Sequence, residues 1–301
     1  MASAPDTRRD AAELVLDRLV AVRPVASRPT VPFVSEVIRD GAALLVRRGP
    51  VLVRVRPNSE ASREVARREV QFCSLLGGFG VPVTPLVEPA DQPWIVSGNV
   101  VTAWSWIERS RPSDAYDLGL LARTLRERSG VAAALVPLAD PLRAVVEVVA
   151  HLDADDPDAT FVRRRARDLA EAFSEASATD PLGRAVVHGD LHRGNVIDGP
   201  AGPVLTDFEL TGAAGASYDA APSMLAVNRY GGSEADLEQF LSGFGFDPRH
   251  WSGFTTYVEV YELWTTAWSV GVRHRDREWA AEASRRVETL RDGASHRWRL
   301  S

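Results

Sequence analysis

Residues 187–209 constrain this chain more than any other stretch. They read V-H-G-D-L-H-R-G-N-V-I-D-G-P-A-G-P-V-L-T-D-F-E. An apolar run at 185–187 leads into a loop that carries Gly189, Asp190 and Gly194. Asn195 follows, then a second strand-like run at 204–206, then Asp207-Phe208-Glu209. Loops held by rigid elements are where reacting groups tend to sit. Phosphoryl transfer needs a carboxylate to orient a hydroxyl nucleophile, with an amide and a second carboxylate to hold magnesium. Asp190, Asn195 and Asp207 supply those groups in that order, and magnesium prefers oxygen donors of this kind.

Two other chemistries compete for the segment. His188, Asp190 and His192 alternate along the chain, as ligands of a transition metal would. That arrangement leaves Asn195 and the Asp-Phe-Glu run without a role. The Gly189-Asp190 and Gly194-Asn195 pairs are similar to those of metallophosphatases, but Val196 stands where such a site wants histidine. His188, His192 and Glu209 are therefore read as support for the loop.

With 301 residues, 45% hydrophobic and 25% charged, the chain suits one large or two modest globular domains. No apolar run approaches the roughly 18 residues of a membrane span, and the first ten residues lack a signal-peptide core. No membrane association is expected, and a cytoplasmic location is. The single cysteine, Cys73, lies in an apolar run and is read as a buried structural thiol.

All 35 basic residues are arginine, so any phosphate contact usually made by lysine falls to arginine. Residues 1–106 carry a net +2 and residues 107–301 a net −8. The absence of a basic stripe argues against nucleic-acid binding. The acidic second part suits a cationic substrate; a solvated acidic surface would give the same count.

The expected fold class is α+β. Apolar spacing predicts a helix over 8–22. Short strands are predicted at 33–38, 42–46, 51–55, 83–88, 94–97 and 100–106, and one helix, capped by Asn58, is inserted and runs to residue 76. A polar stretch at 108–114 separates this small sheet from a mainly helical remainder, giving expected domains of 1–106 and 107–301. Further helices are predicted at 115–129, 141–152, 158–176, 219–229, 234–243, 253–271 and 276–291. Short strands at 185–187, 195–197 and 204–206 interrupt them.

Strand 51–55 alternates, with the three valines on one face and Leu52, Arg54 and Arg56 on the other. On the next helix Glu69 falls on the apolar stripe Val65, Phe72, Leu76, where a carboxylate is costly unless paired. Arg54 is the preferred partner, with Arg56 and Glu64 competing. An arginine fork held there suits a phosphate.

On these residues the chain resembles the aminoglycoside phosphotransferase and choline kinase-like family, relatives of the protein kinases. His188 to Asn195 resembles that family's catalytic loop, Asp207-Phe208-Glu209 its metal-binding segment, and Arg54 with Glu69 its strand-and-helix ion pair. The resemblance implies a two-lobed protein-kinase-like fold with an antiparallel-sheet N-lobe and a helical C-lobe. It also implies transfer of the terminal phosphate of ATP or GTP, with Mg2+, to a hydroxyl of a small molecule.

Asp190 would be the base, and Asn195 and Asp207 the metal ligands. Strand 100–106, with Trp104, would lead into the hinge that faces the nucleotide base. Asp219 resembles an aspartate that braces the loop, and with Glu262 and Asp153 it is also a candidate acid on the acceptor side. No G-x-G-x-x-G run is present, and Asp40-Gly41-Ala42 is the candidate phosphate-covering turn. Arginine replaces the usual strand lysine, and Arg193 stands where proline is frequent. The expected acceptor is hydroxylated and cationic, such as an aminoglycoside; an amino alcohol or sugar is the alternative within the class, and a silent kinase-like binding module or a metal-dependent hydrolase the alternative outside it. A monomer or homodimer is expected.

Overall fold

The computed structural model describes residues 7–21, 33–87, 91–110, 112–275 and 277–299. Expected elements that reach residues 22, 88, 111 or 276 extend there beyond the described residues. The first elements are α1 (Thr7–Ala21), β1 (Ser35–Asp40), β2 (Leu44–Arg48), β3 (Val51–Pro57), α2 (Glu60–Gly78), β4 (Trp94–Val96) and β5 (Asn99–Ser105). Then come α3 (Ala115–Ser129), α4 (Pro141–Val148), α5 (Pro157–Thr179), β6 (Arg184–Val187), β7 (Val196–Gly199), β8 (Gly202–Leu205) and β9 (Gly212–Gly215). Four helices follow: α6 (Ala221–Tyr230), α7 (Glu234–Phe244), α8 (Gly253–Val272) and α9 (Arg277–Asp292). They form two compact units, Met1–Arg111 with Ile197–Glu209, and Pro112–Val196 with Leu210–Ser301.

In the first unit five antiparallel strands lie in the order β1-β2-β3-β5-β4. Alternation in β3 decides what each face does. Val51, Val53 and Val55 are buried with Val101 and Ala103 against Ala12, Val15 and Leu16 of α1. Leu52, Arg54 and Arg56 face the other way, paired across the sheet with Trp104, Thr102 and Val100.

Helix α2 is capped by Ser59, not Asn58: the Ser59 hydroxyl accepts the Ser62 N–H at 3.1 Å, while the Asn58 side chain takes Arg63 at 2.7 Å. The strand expected at 83–88 is only a pair of isolated bridges, from Val83 to Leu205 and from Leu86 to Trp104. Pro82 and Pro85 lack the N–H that a continuous ladder needs.

The second unit is built around α8, which packs on α4, α5, α6 and α9, while α3 packs on α7. Helix α8 is apolar on nearly every face, which is the pattern of a central helix. A small sheet in this unit pairs β6 with β9 in antiparallel register, Arg184 opposite Gly215 and Val187 opposite Gly212. Strand β9, Gly-Ala-Ala-Gly, carries no side chain large enough to signal a strand. Its size is set by close approach: a Cβ on Gly215 would meet the Tyr257 hydroxyl at 2.0 Å. Among the described residues, no helix is long and apolar enough to cross a membrane.

Candidate active site

The end of β6 delivers a tightly held loop in the second unit. Asp219, 3% exposed, accepts the backbone N–H of His188 at 2.8 Å with Oδ2 and that of Gly189 at 2.9 Å with Oδ1. Gly189 has φ 85°, and a Cβ there would meet the Leu210 carbonyl oxygen at 2.5 Å, so glycine is required twice over. Burial pushes the Asp219 pKa up, opposed in part by the charge of His188 and by the two amides. Both Asp219 oxygens are thus committed to the backbone of the loop, with almost no exposure.

Asp190 projects from this loop, half-buried. Its Oδ2 accepts Asn195 Nδ2 at 3.1 Å and lies 3.5 Å from His192 Nε2; its Oδ1 accepts the Tyr261 hydroxyl at 2.7 Å. Burial raises the Asp190 pKa, but the His192 and Tyr261 contacts outweigh it and hold the carboxyl below the usual carboxylate range. It is therefore ionised at neutral pH, as a proton acceptor must be. Asn195 Nδ2 also donates to the Asp190 carbonyl at 2.9 Å, which leaves the amide oxygen as the group available to a cation.

The imidazoles serve the loop. His188 Nδ1 accepts the Asp190 N–H at 3.3 Å, and His192 Nδ1 accepts the Gly194 N–H at 2.9 Å. Among the described residues, no group of three or more His, Cys, Asp or Glu is placed to hold a metal ion, and the two histidines do not join Asp190 in one.

In the first unit, Glu69 is 1% exposed and takes both competing arginines on one oxygen: Arg54 Nη1 at 2.5 Å and Arg56 Nη2 at 2.8 Å. Among the described residues its Oε2 is buried without a hydrogen-bond partner. Burial acts to lower the Arg54 pKa, but Glu69, Asp207 and Glu209 outweigh it and strengthen the charge. Arg54 thus faces the acidic Asp-Phe-Glu segment as well as Glu69. Asp207 has a left-handed φ of 69°, which is uncommon outside glycine and tends to mark functional positions. The Asp40-Gly41-Ala42 turn joins β1 to β2 and is largely exposed.

Trp104 is 4% exposed, and its indole N–H donates to Thr102 at 2.9 Å. It packs the sheet and offers no open ring face. Cys73 is buried and free, and burial pushes its thiol pKa up.

Glu262, expected on the acceptor side, and several other acids of the second unit are engaged by arginine. Glu262 binds Arg229, and Glu259 binds Arg165 at 3.0 Å. Asp156 caps α5 and binds Arg273, which also reaches Asp158 at 2.8 Å. Asp153 is exposed just before that helix. Tyr261 is the site residue that the sequence reading missed as a contact of Asp190: it lies 71 positions away in an aromatic run that reads as core.

Solved structures share this architecture. The amicoumacin kinase hAmiN, solved with AMP-PNP, Ca2+ and Ami, is 13% identical with TM-score 0.64, covering 94% of this chain and 93% of that one. Choline kinase LicA from Streptococcus pneumoniae is 16% identical with TM-score 0.62, covering 93% and 99%. A choline/ethanolamine kinase family protein from Mesorhizobium loti is 21% identical with TM-score 0.57, covering 94% of each chain. A search of curated proteins finds no match. The antiparallel sheet unit and the helical unit are those of the kinase-like aminoglycoside phosphotransferase fold. A family model described as "Phosphotransferase enzyme family" matches residues 33–254, and the chain belongs to that family of small-molecule kinases.

Proposed function

We propose that this protein transfers the terminal phosphate of ATP or GTP, with Mg2+, to a hydroxyl of a small molecule. The observation that carries the reading is the placement of Asp190: held on both oxygens, and in a loop whose backbone is itself pinned by Asp219. Such a group is preorganised to orient a hydroxyl and take its proton as the oxygen attacks phosphorus. Arg54, braced by Glu69 and supported by Arg56, holds the nucleotide phosphates.

The Asn195 amide oxygen and the Asp207 carboxylate are hard oxygen donors that fit magnesium, and the Asn195 nitrogen is already engaged elsewhere. When bound, the metal would neutralise phosphate charge. The remaining roles belong to the chain: Asn195 and His192 orient Asp190, and Asp219 keeps the loop in place.

Two acceptor classes compete, an aminoglycoside and an amino alcohol or sugar. A polycation needs several free carboxylates, yet Glu259, Glu262, Asp156 and Asp158 each face arginine. That pairing favours an acceptor with few positive charges. A cytoplasmic enzyme, monomeric or homodimeric, that binds no nucleic acid completes the reading.

The test is consumption of Mg-ATP and Mg-GTP across kanamycin, spectinomycin, choline and ethanolamine, with product detected by mass. Phosphorylation of one of these supports the reading. Tight nucleotide binding with no turnover on any acceptor or on water would favour a silent binding module instead.

A further inference from the structure

The two oxygens of Asp190 are not equivalent. Oδ2 meets Asn195 Nδ2 at 3.1 Å and His192 Nε2 at 3.5 Å. The His192 ring accepts the Gly194 N–H through Nδ1, so a neutral imidazole carries its hydrogen on Nε2, toward Asp190. Both lone pairs of Oδ2 are therefore addressed from the loop itself. Oδ1 is held differently: its partner is Tyr261, from α8, at 2.7 Å. A carboxylate oxygen accepts two hydrogen bonds, so among the described residues one direction on Oδ1 stays open.

We propose that Tyr261 is a positioning residue, which fixes the rotamer of Asp190 from α8 and leaves the second lone pair of Oδ1 as the place where the acceptor hydroxyl donates its proton. The inference rests on the phosphotransferase reading of Asp190 and adds which oxygen does the work and which distant residue selects it. Tyr261 is 4% exposed, and its backbone belongs to the central helix of the unit. Burial, and then the charge of Asp190, push the phenol pKa well above its ordinary value, so it stays a donor. The other titratable groups that face Asp190 or Tyr261 are His188 and His192 on the loop, Asp219 and Tyr218 ahead of α6, and Tyr230 at its end.

A control lies one turn away on the same helix. Tyr257 is equally buried and also gives its hydroxyl to a carboxylate, Asp180 Oδ2, at 3.2 Å. Asp180 in turn accepts the Ser217 N–H and hydroxyl, each at 2.9 Å, and is a structural tie. Y261F and Y257F thus remove the same chemical group from the same helix.

The experiment compares wild type, Y261F, Y257F, D190N and D190N/Y261F by thermal melting and by release of ADP from Mg-ATP. The best acceptor among spectinomycin, kanamycin, choline and ethanolamine is used, or water if none is taken. Y261F is expected to lose about tenfold in kcat, the equivalent of one modest hydrogen bond, with nucleotide KM unchanged. Y257F is expected to lower the melting temperature and to keep its kcat. In the D190N background, Y261F should cost no further rate.

Wild-type kcat in Y261F, or a further loss of rate in D190N/Y261F, overturns the positioning role. Full activity in D190N overturns the reading of Asp190 itself, so the two failures are told apart. If Y261F does not melt cooperatively, 3,5-difluorotyrosine at position 261 keeps the ring and bond but strengthens the donor. A fall in kcat of at least twofold then supports the proposal, and an unchanged kcat contradicts it.

Discussion

Asp219 holds His188 by its backbone, accepting the N–H at 2.8 Å, and its other oxygen holds Gly189. An alanine there strands two buried donors, each at a cost of about 1–3 kcal/mol. D219A should therefore lower unfolding free energy measured in urea by several kcal/mol, or fail to fold, whereas D219N, which keeps one acceptor, should lose about half as much.

Gly189 makes the same point from the backbone. Its φ of 85° and the 2.5 Å approach of a virtual Cβ to the Leu210 carbonyl leave no room for a side chain. G189A should displace the loop, lowering both melting temperature and kcat, with a stability loss of roughly 2–4 kcal/mol. Circular dichroism and initial rates on one preparation check both.

Glu69 receives both arginines, so their losses should be unequal but related. Arg54 also faces Asp207 and Glu209, and R54A is expected to raise the nucleotide KM by about 10–100-fold, the scale of a charge-assisted bond. R56A should have a smaller effect. Calorimetric titration with Mg-ATP would show it, and a larger effect in R56A would reverse the assigned roles. D207N keeps a residue tolerant of left-handed φ while removing the charge. It should abolish the magnesium dependence of nucleotide binding and leave the melting temperature near wild type.

Asp156 supplies a pH test. Burial works to raise its pKa, but the N–H groups of Ala159 and Asp158 together with Arg273 outweigh that, and the net direction is down. A depressed carboxyl contributes stability above its unfolded pKa of about 3.9, and this is lost as pH falls through the folded value. D156N, still a good cap, should cost roughly 0.5–1 kcal/mol at pH 7. The difference from wild type should begin to shrink as the pH falls below about 4 and keep shrinking with further acidification in urea unfolding curves.

What was legible in the sequence was local. Asp190, Asn195 and Asp207 lie within one short stretch, and the strand period put Arg54 and Arg56 on one face. The buried helical stripe singled out Glu69. Long-range partnerships were not legible. Tyr261 reads as one aromatic among several until α8 places it on Asp190. The arginine partners of Glu259, Glu262, Asp156 and Asp158 come from distant parts of the chain, so the acidic count alone suggested a cationic acceptor more strongly than the pairing does. Strand β9 was missed because it is built of glycine and alanine, which carry no strand signal, and close packing leaves no room for a side chain at Gly212 or Gly215.

The most direct test of the central claim is magnesium-dependent phosphate transfer by D190A. Loss of the residue that orients the hydroxyl and takes its proton should lower kcat by about 10²–10⁴ while nucleotide binding persists. Transfer by D190A at the wild-type rate would contradict it.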